Sequence, residues 1–190
     1  MGQRFQTYVK VRGIEENTFN VIGYHLQWSW GQYSLIRAYQ LMDFISNDMD
    51  YRYSRFKMPW NLDEIKEMVK SLLQINQEYK SFVGAYEEDI EVCENPSMAD
   101  NNDGALFIDT TLDKPKYCFF QPYSINPITI SARDYASYYM TYHLEKNDEE
   151  SKKTIEIYNK YLEKLDKYEM VEDSALVDTF PKMYQITIEE

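Results

Sequence analysis

Val21–Gly31, VIGYHLQWSWG, is the stretch on which the reading of this chain turns. Its first half is β-branched and aromatic, as a strand requires, and Gly31 punctuates it. Beyond the glycine, from about Tyr33 to Asn47, Leu35, Ala38, Met42 and Ile45 recur at helical spacing. The stretch is therefore read as a strand, Phe19 to Trp28, that bends into a helix. Upstream, Thr7 to Arg12 alternates: Thr7, Val9 and Val11 on one side, Tyr8, Lys10 and Arg12 on the other. Gly13 to Asn17 is a polar turn, so the chain begins with a hairpin.

Working outward, Asp48 to Trp60 reads as a linker closed by Pro59. Asn61-Leu-Asp-Glu64 has the form of a capping box, and the helix after it is expected to bury Leu62, Ile65, Val69, Leu72 and Tyr79. Phe82 to Tyr86 is a candidate short strand and Glu87 to Asp103 an acidic loop. Ala105–Thr110 and Lys116–Gln121 read as two further strands. Ser131-Ala-Arg-Asp134 starts a helix carrying Tyr135, Tyr138, Tyr139 and Tyr142. A last helix, about Asp148 to Met170, has Ile155, Tyr158, Leu162 and Leu165 as its apolar stripe. The expected fold class is α+β: an antiparallel sheet of about four to five strands covered by helices, with a charged C-terminal helix. The expected organisation is an α+β core over 1–145 and a helical extension, 146–190, packed on it.

The 190 residues carry a net charge of −12, unevenly spread. Residues 81–113 hold nine acids and no Lys or Arg, whereas residues 1–60 hold seven bases and five acids. Such a balance disfavours direct nucleic-acid binding and suits a basic protein partner. Cys93 and Cys118 make neither a disulfide framework nor a zinc set, which fits a reducing cytoplasm. No window is apolar enough to span a membrane, and the start has no signal-peptide pattern. Gln6 stands where a myristoylation signal needs Ser or Thr.

The chemistry-bearing motifs are few. His25 and His143 are the two histidines, and no helical pair of ligands surrounds either; no metal and no cofactor are expected. Asp100-Asn-Asn-Asp-Gly104 fails as a calcium loop: with Gly104 at the sixth position, Ala99 and Thr110 fall where carboxylates are needed. Asp-Gly there reads instead as a tight turn entering a strand, or a polar ligand contact. There is no Gly-rich phosphate loop, nucleophile elbow or CxxC, and Cys118 reads as inert core.

Four segments, in order, resemble a family of proteins from tailed phages and fungi whose motifs are MGQRHQ, HHQWLYG, DNNDG and a YCF strand. Here they are MGQRFQ at 1–6, HLQWSWG at 25–31, DNNDG at 100–104 and YCF at 117–119, and the resemblance runs to roughly residue 142. It implies no activity. Phe5, Leu26 and Trp30 stand where the family has His, His and Tyr. What is left at these positions is Gln3, Arg4, Gln6, His25, Gln27, Trp28, Trp30, Asn102 and Asp103. Amides, one imidazole, indoles and a guanidinium make a recognition surface rather than a reaction centre. The alternative reading is a buried polar network that locks the hairpin to the helix.

Three functions are expected from this, in order. The first is a phage-type accessory protein with an anti-defence role, one that captures a small anionic, nucleotide-derived ligand in the host cytoplasm. The second is an acidic inhibitor that binds a host protein through residues 81–113 or the last helix. The third is an enzyme acting on nucleotides, for which His25 or Asp103 would be the base; the balance leans away from an enzyme. The oligomeric state, including a homo-oligomer, is left open.

Overall fold

The computed structural model describes residues 4–27, 29–47, 62–73, 90–93, 103–122, 128–172, 176 and 179, with the backbone alone described at 4, 27, 73 and 90–93. It is an α+β fold. Its strands are β1 (Arg4–Arg12), β2 (Phe19–Gln27), β3 (Ile90–Cys93), β4 (Ala105–Asp109), β5 (Lys116–Phe120) and β6 (Thr129–Ile130). Its helices are α1 (Gln32–Asn47), α2 (Leu62–Leu73), α3 (Ala132–Lys146) and α4 (Glu149–Leu165).

The six strands form one sheet in the order β3-β2-β1-β4-β5-β6. Most neighbours are antiparallel, but β1 and β4 run parallel, Gln6 opposite Ala105 through Lys10 opposite Asp109. The sheet is therefore mixed, a refinement of the antiparallel expectation. It also has two strands that the sequence reading did not assign. β3 lies within the stretch read as an acidic loop and pairs with β2, Leu26 opposite Ile90 through Gly23 opposite Cys93. β6 adds two residues beside β5. The candidate strand Phe82–Tyr86, the capping residue Asn61 and Tyr79 lie outside the described residues.

Alternation along the strands makes two unlike faces. One carries Phe5, Val9, Val11, Ile22, Tyr24, Leu26, Leu106, Ile108, Tyr117 and Phe119, all buried in one cluster with the helices. The expected stripe of α1 is all there: Leu35, Ala38, Met42 and Ile45 have no exposed surface. That helix also buries Ser34, Ile36 and Arg37, so it is enclosed on nearly all sides. The buried Arg37 guanidinium hydrogen-bonds Ser29 Oγ. α4 joins the same cluster through Tyr158, Tyr161, Leu162 and Leu165. α3 contributes Tyr135 and Tyr139, while Tyr138 and Tyr142 face outward, 46% and 61% exposed. Ser131 caps α3 with the expected box: its hydroxyl accepts from Asp134 N–H, and the Asp134 carboxylate accepts from Ser131 N–H.

The second sheet face carries Tyr8, Ala105, Phe107, Cys118 and Phe120. The chain reaches it by passing over the sheet edge. Val171 N–H donates to the Tyr117 carbonyl at 2.9 Å, Val171 and Leu176 then bury against this face, and Lys10 Nζ donates to Thr179 Oγ1 at 3.1 Å. Lys10 also lies 3.4 Å from the buried Asp109 carboxylate.

Candidate functional site

Gly31 fixes the corner from which the site is built. Its φ of +54° is left-handed, and a Cβ there would sit 2.3 Å from the Tyr158 hydroxyl oxygen. Glycine is thus required twice over, by backbone conformation and by the ring packed against it. The Gly31 N–H donates to the Tyr135 hydroxyl at 3.3 Å. That hydroxyl lies 3.2 Å from both Ser34 Oγ and the Asp103 carbonyl, so its single proton serves one of them at a time. Tyr139 OH sits 3.2 Å from the same carbonyl and 3.3 Å from Asp103 Oδ1. The Tyr135 ring stacks on Phe119 at 4.3 Å and meets Phe5 edge-on at 5.9 Å. Burial pushes the Tyr135 hydroxyl pKa well up, so it stays a neutral donor and acceptor.

This knot ties three distant segments together: the strand-helix corner, the turn at Asp103–Gly104 and α3. Gly104 has φ +85°, the left-handed turn that the Asp-Gly pair foretold, and a Cβ there would lie 2.5 Å from the Phe120 carbonyl oxygen. Gln6 N–H meets the Gly104 carbonyl at 3.5 Å. The motif segments 4–6, 25–31 and 103–104 therefore converge at one end of the sheet.

They converge there on different sides. Asp103, 1% exposed, is enclosed on the helical side by Tyr135 and Tyr139. Trp30 is partly buried on that side, 5.7 Å from the Tyr139 ring. Gln6 is on the second face, 4% exposed, and its amide oxygen accepts from Tyr8 OH. His25 is half-buried and pairs in register with Gln6 on one side and Glu91 on the other. Arg4 and Gln27 are backbone register partners two positions further along. Gln3, Trp28 and Asn102 lie outside the described residues.

The side chains that sequence reasoning missed are Tyr135, Tyr139 and Tyr8. Tyr135 and Tyr139 stood four apart on a capped helix, a spacing that signals a shared face but not a hydrogen-bonding role. Among the described residues, no group of three or more His, Cys, Asp or Glu could hold a metal ion. No described helix is long and apolar enough to cross a membrane. The sequence matches no protein-family model, and no match to it was found among curated proteins or solved structures.

Proposed function

We propose that the chain is a capture protein for a small anionic, nucleotide-like ligand, held at the polar end of the second sheet face. The observation that carries this reading is the register: Arg4–Gln27 and Gln6–His25 are pairs two positions apart on adjacent strands, with Glu91 opposite His25 on the third. A guanidinium suits a phosphate, and an amide beside an imidazole suits the edge of a base. Gln6 is too enclosed to touch a ligand. Its part is to hold the row in place through Tyr8. The direct contacts are assigned to Arg4, His25 and Gln27. Trp30 and Asp103 support the row from the helical side.

The wider role that we propose is a phage accessory protein that sequesters a host defence signal in the cytoplasm; the motif resemblance supplies only the phage setting, and the ligand class comes from the residues. Calorimetric titration of the full chain with cyclic mono- and dinucleotides and with linear mononucleotides tests the reading. Saturable binding that weakens about tenfold in Arg4→Ala, as loss of one charge-assisted contact demands, is the expected result. Heats of dilution across the whole panel would end the proposal.

The acidic-inhibitor reading is less well supported. Two of its nine acids, Asp103 and Asp109, are buried inside the fold, one among tyrosines and the other beside Lys10 and the Thr111 N–H. Those two charges are not offered to a partner.

A further inference from the structure

We propose a second ligand site at the opposite end of the β1–β2 ladder, one that takes a small carboxylate with an apolar body. Eight residue steps separate Arg4 from Arg12 along β1, roughly 26 Å, so this place is distinct from the polar row. A cavity of about 540 Å³ opens there, lined by Lys10, Arg12, the loop Gly13–Thr18, Phe19 and Thr111. That volume lies within the usual range for small-molecule sites.

The loop that shapes the cavity is held by its own hydrogen bonds. Gly13 N–H donates to the Thr18 carbonyl at 2.9 Å, and Thr18 N–H and Oγ1 donate to the Glu15 carbonyl at 3.1 and 2.7 Å. Asn17 supplies the left-handed residue, φ +63°. A ligand therefore meets a formed wall and need not order it.

Charge selects the ligand. Lys10 is already offset by Asp109 at 3.4 Å and lies over the Phe19 ring at 4.3 Å. Arg12 is exposed and spends one N–H on the Thr111 carbonyl at 3.2 Å. The rest of its fork is available to a carboxylate. Glu15 and Glu16 on the loop leave no surplus of positive charge, which disfavours a dianion such as a phosphate monoester. Apolar surface lines the same cavity as the guanidinium: Ile14 is 82% exposed and Phe19 40%. One carboxylate plus an apolar group is the chemistry that fits, and it is shared by simple aryl carboxylates and by apolar amino acids.

The test is a two-dimensional amide NMR titration of the full chain with 3-phenylpropionate and, separately, L-phenylalanine. Saturable shifts confined to residues 10–19 and 111 are expected for at least one probe, with affinity about tenfold lower in Arg12→Gln and lowered also in Phe19→Ala. Preference for phenylalanine assigns an amino acid, with Glu15 or Glu16 taking the ammonium; preference for phenylpropionate assigns a plain carboxylate. Absence of saturable shifts at about 10 mM, which is weaker than any specific site of this kind, overturns the site. So does binding that Arg12→Gln leaves unchanged, since that would be adhesion to exposed apolar surface. Both substitutions are at exposed side chains, so folded spectra of the variants are expected.

Discussion

Gly31→Ala tests the corner on which the motif residues converge. Two costs add. An alanine at φ +54° sits in the left-handed region, at roughly 1–2 kcal/mol. Its Cβ would meet the Tyr158 hydroxyl oxygen at 2.3 Å, inside a ring that has no exposed surface, and overpacking of this kind costs about 1–3 kcal/mol. The expected loss is about 2–5 kcal/mol, or on the order of 5–15 °C in Tm for a chain of this length. The two parts can be separated. The atom in conflict is the hydroxyl, because the Tyr158 Cζ would lie at an ordinary 3.5 Å. That hydroxyl is buried and makes no hydrogen bond of normal geometry among the described residues, its approach to the Gln32 backbone being a weak one, so Tyr158→Phe alone should change stability by less than about 1 kcal/mol. In the Tyr158→Phe background, Gly31→Ala should then cost only the backbone part. Urea titrations of the four proteins give a coupling of about 1–3 kcal/mol if this is right. Costs that simply add, within about 0.5 kcal/mol, would refute the account of the corner.

Tyr139→Phe removes a donor from the enclosed Asp103 carboxylate and should cost about 1–3 kcal/mol in the same urea assay. Arg133→Gln breaks the bidentate pair with Asp166, but both side chains are about half exposed, so a change under about 1 kcal/mol is expected. Asp148 caps α4; the Ser151 N–H and then the Lys146 ammonium hold its carboxyl at about 2, below the ordinary 3.8. A carboxyl depressed on folding stabilises above its unfolded pKa and loses that contribution as pH falls. The Tm gap between the parent and Asp148→Ala should therefore persist from neutral pH to about 4 and narrow steadily toward pH 2, as followed by circular dichroism. Burial lowers the His143 pKa from 6.5, with the Lys146 charge adding to it. Its neutral form is favoured on folding, so stability should fall as pH drops through that ordinary value, and its ring protons should titrate below it by NMR.

Local periodicity carried much of the fold. The α1 stripe and the β1 alternation lie within a few turns or residues of themselves, and their buried sides match the pattern. The parallel pairing of β1 with β4 joins residues about a hundred apart, and no local pattern encodes it. β3 has an alternating Ile90-Glu-Val-Cys93, but acids on both sides made it read as loop. The sequence places the four tyrosines on α3 and assigns no face to any of them. They divide into two pairs: Tyr135 and Tyr139 turn inward to Asp103 while Tyr138 and Tyr142 turn out, a choice set by tertiary packing.

At the site, the grouping of distant segments came from the motif resemblance, while the left-handed turn at Gly104 was legible locally from its Asp-Gly pair. The division between two sides of the sheet was not. Gln6 and His25 differ from Phe5 and Leu26 by one position each, and which parity faces the helices depends on partners elsewhere in the chain. Arg37, a charge enclosed in the core, carried no sequence signal that set it apart from a surface arginine.

The measurement closest to the central claim is the pattern of intermolecular NOEs between a bound cyclic nucleotide and the two histidine rings, His25 and His143. The account predicts contacts from the base protons to the His25 ring and none to His143, which lies on α3 with its ring 3.3 Å from Ser151 Oγ of α4. Binding with NOEs to neither ring, or to His143 alone, would contradict it and remove the second sheet face as the place of capture.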